Sequence, residues 1–212
     1  MHNLFLGIFM LTISPVFLEG LTEEVSLEFS KNLNAKPQER PIFILIGGFQ
    51  GSGKSSLAGR IKQIYDINVI STDAVRKSLF NKGFPVSPAC STYVSNIQTN
   101  LIKKSLSFHA NTLIDANAHS KRIKEVETLL KENIVPYKLV KIFLKAGEDT
   151  LINRVTNRKT TLDCYQGTES DLKASLFSVA INPEEYDLTI DTDELNEEGV
   201  FEIVKKYLLY GA

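Results

Sequence analysis

The chain has 212 residues, of which 43% are hydrophobic, and a formal net charge of −1 at pH 7. That hydrophobic content is sufficient for a buried core, and the length fits a single α/β domain without a second one. The near-neutral charge argues against a broadly basic surface for polyanions, although a local basic groove remains compatible with it.

Cysteine usage indicates a reducing compartment. The two cysteines, Cys90 and Cys164, lie far apart and do not have the spacing of a metal site. We therefore expect reduced thiols in a cytoplasmic protein.

The first 40 residues are predicted to be an apolar segment, a helix and a linker in front of a domain formed by residues 41–212. The apolar run Leu4–Ile13 is too short to span a bilayer as a helix, so we do not expect stable membrane insertion. It lacks a basic start and a small-residue cleavage site. A cleaved signal, a helix packed on the domain and an artefact of the start site all remain open.

The segment 21–33 is predicted to be a helix. Thr22 is followed by two glutamates, which is a capping signal, and Val25, Leu27 and Phe29 are candidate anchors. Residues 34–41 contain two prolines and are the predicted linker into the sheet.

The clearest motif follows the first predicted strand. Ile42–Ile46 is a short, β-branched and aromatic run, which predicts a strand buried on both faces of a parallel sheet. The sequence GFQGSGKS at 48–55 comes next and leads into a predicted helix over 55–65. This is the P-loop pattern in its expected context, although a plain Gly-rich turn after a strand has the same local composition.

The P-loop predicts ATP and Mg²⁺ as cofactors. Backbone N–H groups at a helix N-terminus hold phosphates, and the glycines permit the tight curl of the chain. Lys54 is expected to reach the β- and γ-phosphates, and the Ser55 hydroxyl is expected to bind Mg²⁺. The predicted nucleotide-binding residues are Gly48, Phe49, Gln50, Gly51, Ser52, Gly53, Lys54, Ser55 and Ser56.

Asp73 and Arg76 follow a second predicted strand, at 68–70, and begin a helical pattern. Residues three apart share a helix face, and ligands of open parallel sheets bind beyond the carboxyl ends of the strands. Asp73 could take the proton of an attacking hydroxyl, while Arg76 holds the acceptor or offsets developing charge. The alternative is that Asp73 caps the helix and Arg76 is a solvated surface charge.

Asp115 ends a third predicted strand, at 112–114. An acid there can order Mg²⁺ or its water shell, as a Walker B carboxylate does. It could equally close the turn into the next helix, with Asn117 or Ser120 as the cap.

The helix predicted over 120–133 starts with the basic residues Lys121, Arg122 and Lys124. A solvated helix face is the simpler interpretation, although this edge of the sheet could also touch an anionic acceptor. His119 is expected to be a surface residue rather than a catalyst.

Arg154 and Arg158 lie four apart on a helix predicted over 148–159. They could close over the transferring phosphoryl group, or they could be ordinary surface charges. The polar segment 160–169 behind them is a candidate lid loop.

The remaining elements complete an α/β pattern. A helix over 92–108 is expected to cover the sheet and contribute to an acceptor pocket, and strands are predicted at 137–144 and 187–191. The closing helix over 194–209 has a predicted inner stripe of Val200, Ile203, Val204 and Leu208.

Four segments in this order carry a resemblance to a known family: GGFQGSGKSSLA, VISTDAVRKSLF, TLIDANAHSKR and LINRVTNRK. Together they resemble the small P-loop kinases of the AAA_33 type, which are akin to zeta-toxin, chloramphenicol phosphotransferase and polynucleotide kinase. The resemblance covers roughly residues 41–208. It implies a three-layer P-loop fold, with a five-stranded parallel sheet of order 2-3-1-4-5 flanked by helices.

The resemblance also implies roles. Asp73 becomes the expected base, Arg76 an acceptor-side residue, and Arg154 and Arg158 lid arginines, so that the predicted catalytic set is these four and Lys54. Ser55 and Asp115 are the predicted metal residues. Relatives often have Thr where this chain has Asn117, which changes the surroundings of Asp115.

Three functions follow as hypotheses. The first is an ATP-dependent kinase acting on a hydroxyl of a small molecule, a toxin that phosphorylates a cell-wall sugar nucleotide being a special case. The second is a kinase for the 5′-hydroxyl of a polynucleotide. The third is a nucleotide-dependent switch without an acceptor. No guanine-specificity signature follows the fourth strand, which argues against a GTPase.

Overall fold

The computed structural model describes residues 15–84, 90–116, 119–158, 168–179 and 181–211, apart from the side chains of residues 15–17 and 90. The elements are α1 Pro15–Ser30, β1 Ile42–Gly47, α2 Lys54–Ile64, β2 Ile67–Ser71, α3 Thr72–Asn81, α4 Cys90–Ser107, β3 Asn111–Asp115, α5 Ser120–Lys131, β4 Lys138–Lys145, α6 Glu148–Thr156, α7 Glu169–Ser178, a 3₁₀ turn Pro183–Glu185, β5 Leu188–Asp191 and α8 Glu197–Tyr210.

The five strands form one parallel sheet in the order β2-β3-β1-β4-β5. The predicted fold and strand order are therefore confirmed. The strand that precedes the P-loop lies in the centre, between β3 and β4, so the loop emerges at the middle of the sheet's carboxyl edge. In such a sheet that edge is where ligands bind.

Side chains of β1 alternate between two hydrophobic layers. Phe43 and Leu45 pack with the layer formed by α1, α3, α4 and α5. Ile44 and Ile46 pack with the layer formed by α2 and α8. All four are fully buried, which explains why this strand has a continuous apolar sequence rather than an alternating one.

Helix α1 is longer than predicted and belongs to the core. It begins at Pro15, and Thr22 lies inside it, where its hydroxyl donates to Leu18 O at 2.8 Å, so the predicted start and cap were wrong. Val25 is fully buried, but Leu27, a predicted anchor, is 58% exposed. Helix α1 packs mainly on α4 and also on α3.

Three other predicted features differ from the structure. Helix α6 ends at Thr156 rather than 159, and α7, which was not predicted, begins at Glu169 with Thr168 as its cap. On α8, Val200 and Val204 of the predicted stripe are buried, but Ile203 is 39% exposed and Phe201 is buried. The buried face therefore extends to the side of Phe201 rather than to that of Ile203. Residues 160–167 of the predicted lid loop 160–169 lie outside the described residues.

Among the described residues, none of the helices has both the length and the apolar content needed to cross a membrane.

A matched pair of substitutions tests whether α1 is part of the folded unit. Leu21 is 7% exposed and Leu27 is 58% exposed on the same helix. Leu21→Ala should lower the free energy of unfolding by about 2–5 kcal/mol, because it leaves a cavity in the core. Leu27→Ala should change it by no more than about 0.5 kcal/mol. Urea denaturation measures both, and equal small effects would show that α1 does not contribute to the core.

Candidate functional site

The P-loop backbone has the conformation that its glycines were predicted to allow. Gly48, Gly51 and Gly53 have φ values of +146°, +87° and +94°, which side-chain-bearing residues rarely adopt. A Cβ on Gly48 would lie 2.4 Å from Ser52 Oγ, and one on Gly51 would lie 3.0 Å from Leu151 O. No described side chain caps the start of α2 after Gly53, so its N-terminal amides suit an anion.

The Lys54 side chain lies along the inside of this loop. Its Nζ donates to Phe49 O at 2.9 Å. Burial lowers the pKa of Lys54, while the negative charges of Asp115 and Asp73 act in the opposite direction. The ammonium is thus a desolvated cation whose bond to Phe49 a phosphate oxygen can replace.

Ser55 and Asp115 meet as the metal prediction requires. Ser55 Oγ donates to Asp115 Oδ2 at 2.7 Å, and β3 pairs with β1 so that Asp115 lies beside Ile46. Asp115 is 6% exposed. Burial raises its pKa, and the nearby Lys54 charge and the Ser55 hydrogen bond oppose this rise.

These two oxygen donors fit Mg²⁺. Magnesium is held in nucleotide sites by one or two protein oxygens, several waters and the phosphates, rather than by a cage of protein ligands. Accordingly, the described residues contain no cluster of three or more His, Cys, Asp or Glu side chains able to hold a metal. Ser55 and Asp115 would hold the ion or its water shell.

Asp73 faces the same cleft, and it does not cap its helix. The cap of α3 is Ser71, whose Oγ accepts from Ala74 N at 3.4 Å. Asp73 Oδ1 instead lies 3.2 Å from Arg76 Nη1 and its side chain is 57% exposed. Its charge acts on the pKa values of both Lys54 and Asp115, which places it near the P-loop.

The two predicted lid arginines have different surroundings. Arg154 donates to Thr192 O at 2.7 Å, to Thr192 Oγ1 at 2.9 Å and to Gly51 O at 3.3 Å. It therefore ties α6 to the P-loop and to the end of β5. Arg158 is exposed in the cleft, and its charge lowers the pKa of Lys54, so it faces the phosphate site.

The start of α5 forms the opposite wall. His119 precedes this helix and is partly buried; burial and the positive charge of Arg122 lower its pKa. The expectation of a solvated basic face is wrong for Arg122, which is 7% exposed, and right for Lys121 and Lys124, which are exposed. Asn117 lies outside the described residues.

One cleft of about 1230 Å³ joins these groups. At one end it contains Val179 after α7, Thr192 after β5 and the start of α8. The P-loop lies at the centre, and residues of α3, α4 and α5 lie at the other end. Polar side chains dominate the last part, which is lined by Thr72, Asp73, Arg76, Ser91, Thr92, Ser95, Asn96, Gln98, His119, Lys121, Arg122 and Glu125.

Sequence reasoning missed three members of this site. Gln98 was only one position in an amphipathic helix, Thr72 stood beside the more conspicuous Asp73, and Thr192 followed the last strand. Each is a neutral polar residue that acts through a long-range hydrogen bond, and no local pattern signals such a bond.

The model of the family AAA_33, described as an AAA domain, matches residues 43–179. The chain belongs to the AAA_33 family. A search of curated proteins finds no match to this AAA_33 chain.

Solved structures place the AAA_33 chain in the P-loop kinase fold. It is similar to a gluconokinase from Sinorhizobium meliloti 1021, with TM-score 0.51 and 18% identity over 82% of this chain and 98% of that one. It is also similar to shikimate kinase from Bacteroides thetaiotaomicron, with TM-score 0.53 and 14% identity over 79% and 98%. A chain of the Pnkp1/Rnl/Hen1 RNA repair complex matches with TM-score 0.53 and 16% identity, over 66% of this chain and 44% of that one.

Two glycine substitutions test the phosphate-binding loop of this AAA_33 protein. Gly51→Ala puts a Cβ on a residue with positive φ and close to Leu151 O, which should cost about 1–2 kcal/mol in backbone strain and weaken ATP binding by about tenfold or more. Gly59→Ala meets nothing within 4 Å on α2 and should stabilise the fold by about 0.5–1 kcal/mol. Calorimetry with ATP and urea denaturation measure both effects; unchanged ATP affinity in Gly51→Ala would contradict this assignment.

Substitutions at the Ser55–Asp115 pair test the metal site. Asp115→Asn and Ser55→Ala should each reduce Mg²⁺ affinity in the presence of ATP by about 10–100-fold. Binding of ATP without Mg²⁺ should change much less, since the loop amides and Lys54 are intact. Ser55→Thr keeps the hydroxyl and should remain close to wild type. Isothermal calorimetry with and without Mg²⁺ separates these effects, and an equal loss under both conditions would remove the metal role.

Proposed function

We propose that the protein is an ATP-dependent kinase that transfers the γ-phosphoryl group to a hydroxyl of a small polar molecule. The observation that carries this proposal is the position of the Asp73 carboxylate, which faces the same cleft as Lys54 and the Ser55–Asp115 pair. A phosphate-binding loop alone would fit any ATPase. A carboxylate opposite the loop supplies a group for a hydroxyl nucleophile.

The P-loop binds the triphosphate of ATP in this proposal. Its amides and the ammonium of Lys54 hold the phosphate oxygens, and the α2 dipole favours the negative charge. Ser55 and Asp115 would hold Mg²⁺ or its water shell; when bound, the ion would supply positive charge to offset the charge that develops on the phosphate oxygens. The protein positions these groups, and little covalent chemistry is required of it.

Asp73 is the general base. A substrate hydroxyl that donates a hydrogen bond to its carboxylate would point its oxygen toward the phosphate site. It would lose its proton to Asp73 as the new P–O bond forms and as the bond from the γ-phosphorus to the β–γ bridging oxygen breaks, which releases ADP. Arg76, 3.2 Å from Asp73, orients this carboxylate and can contact the acceptor. Because Asp73 is exposed to the cleft, its hydrogen bond to Arg76 leaves other lone pairs accessible.

Arg158 is the arginine whose placement suits transition-state charge. It is exposed in the cleft and its charge reaches Lys54. Arg154 holds Gly51 and Thr192 instead, so we assign it to shaping the loop and the nucleotide site. Arg158 thus keeps a proposed catalytic role, whereas Arg154 acts as a positioning residue.

The wall of the acceptor end supports a small, polar and non-aromatic acceptor. Its described lining side chains are mostly hydroxyls, amides and charged groups, and no described residue of the cleft is Phe, Tyr or Trp. Proteins that bind nucleic-acid strands typically stack bases on aromatic rings. Two structural neighbours are a gluconokinase and a shikimate kinase, which supports a small hydroxylated acceptor.

A polynucleotide 5′-hydroxyl is the second candidate, and one observation favours it. Lys121 and Glu125 line both the main cleft and a second groove of about 600 Å³ between α4 and α5, where Lys124 also lies. A longer anionic acceptor could extend there. One structural neighbour belongs to an RNA repair complex.

A screen with γ-labelled ATP and Mg²⁺ tests the proposal and separates the candidates. Polyols, sugars, sugar acids and nucleotide sugars form one panel, and 5′-hydroxyl oligonucleotides form the other. A labelled small molecule supports the first candidate. A labelled oligonucleotide, with transfer that falls steeply with salt, supports the second. Hydrolysis without any labelled acceptor supports the nucleotide-dependent switch. Growth arrest on expression that Lys54→Ala removes would indicate a toxin.

Two substitutions should separate nucleotide binding from transfer. Lys54→Ala should abolish turnover and weaken ATP binding, because it removes the cation from the phosphate site. Asp73→Asn should lower transfer by about 10²–10⁴-fold while ATP affinity changes by less than about twofold. Asp149→Asn, an exposed carboxylate in the first turn of α6, is the control and should keep full activity. Full transfer by Asp73→Asn would rule out its role as base.

A further inference from the structure

A chain of hydrogen bonds runs through the wall of the acceptor end of the cleft. It starts at Arg122 on α5, whose side chain is 9% exposed. Arg122 Nη2 donates to Gln98 Oε1 at 2.7 Å and to Ser95 Oγ at 3.2 Å, both on α4. Arg122 Nη1 lies 3.1 Å from Glu125 Oε2, so this cation is paired as well as hydrogen-bonded.

The chain continues through Gln98 to the first residue of α3. Gln98 is 2% exposed, and its Nε2 donates to Thr72 Oγ1 at 2.9 Å. Thr72 Oγ1 then donates to the backbone oxygen of Asp115 at 3.3 Å. The bond from Arg122 occupies the amide oxygen of Gln98, which leaves its NH₂ group directed at Thr72.

The two ends of this chain matter for the site. Thr72 directly precedes Asp73, and Asp115 is the proposed metal residue. Strands β2 and β3 pair with Ser71 beside Asp115, but that pairing ends where α3 begins. The first turn of α3 is held beyond that point by the Ser71 cap and by Thr72.

We propose that Arg122 and Gln98 are positioning residues, which act through Thr72 to hold the first turn of α3, and with it Asp73, against the end of β3. They do not touch the reacting groups in this proposal. The claim that this network affects turnover rests on the proposed role of Asp73. The claim that it holds the first turn of α3 does not.

The chemistry of the residues suits this role. Guanidinium presents several donors in a rigid plane, so Nη2 of Arg122 bonds two acceptors on α4 while Nη1 lies at ion-pair distance from Glu125. A buried cation is costly unless all its partners are present. Removing one partner therefore leaves buried polar groups without hydrogen bonds. The helices that these groups join are then held less firmly in place.

Hydrogen exchange measures the structural part without any substrate. We expect backbone amides of residues 76–81 on α3 to exchange at least fivefold faster in Arg122→Met, Gln98→Leu and Thr72→Val, compared with amides of β1. Thr72→Ser keeps the hydroxyl and should exchange like the wild type. Lys131→Met, at the end of α5, should also leave α3 unchanged. Unchanged exchange in all three network variants would overturn the proposal.

A destabilised control separates positioning from a general loss of stability. Ile123 is the buried neighbour of Arg122 on α5 and packs in the core. Ile123→Ala should lower the melting temperature at least as much as Arg122→Met. It should speed exchange in α3 and β1 equally, whereas the network variants should speed α3 preferentially. The same pattern in Ile123→Ala and Arg122→Met would contradict a positioning role.

The last part of the test measures turnover with Mg²⁺ and γ-labelled ATP. The acceptor is the one found in the screen, or water if the screen finds none. Arg122→Met and Thr72→Val should lower kcat by about tenfold with ATP affinity within twofold of wild type, and Thr72→Ser should restore it. The double variant Arg122→Met/Thr72→Val should have a kcat no lower than that of the slower single variant, because both substitutions interrupt the same chain of hydrogen bonds. A wild type without turnover would remove the proposed function, while the exchange result would still decide whether the network holds α3.

Discussion

The pairing of β1 with β3 is the constraint on which the site depends. It brings Asp115 beside Ile46, one strand away from the loop that carries Ser55. The result is a 2.7 Å hydrogen bond between two oxygens that lie 60 positions apart in the chain. A shift of one residue in the register would turn Asp115 to the other face of the sheet and separate this pair.

Charges in the cleft compensate one another at close range. Lys54 is desolvated, and the carboxylates of Asp115 and Asp73 favour its charged form. Burial disfavours the charged form of Asp115, and Lys54 counteracts that effect. Such mutual dependence is typical of a site for anionic phosphates and a divalent cation. The protein alone does not fully compensate either the Lys54 cation or the carboxylates.

Helices α3, α4 and α5 form the proposed acceptor side of the cleft. A polar network and the apolar helix α1 connect them. Arg122 and Gln98 join α5, α4 and α3 on the inside. Helix α1 covers α4 and α3, and Lys82, the C-cap residue of α3, forms ion pairs with Glu24 and Glu28 of α1. Helix α1 lies before the segment that the AAA_33 model matches, yet its Leu18, Leu21 and Val25 belong to the same core as Phe43 and Leu45 of β1.

Much of the molecule could be predicted from the sequence because its signals are local. A continuous apolar run, three glycines and Lys54-Ser55 indicated the central strand and phosphate loop, and each of these depends only on neighbours in the chain. The resemblance added the strand order, which the structure confirms. The tertiary structure alone decided that Ser71 rather than Asp73 caps α3, that Arg122 is buried and that Arg154 bonds to Thr192. Those outcomes depend on which helices pack together, and residue patterns along one helix do not contain that information.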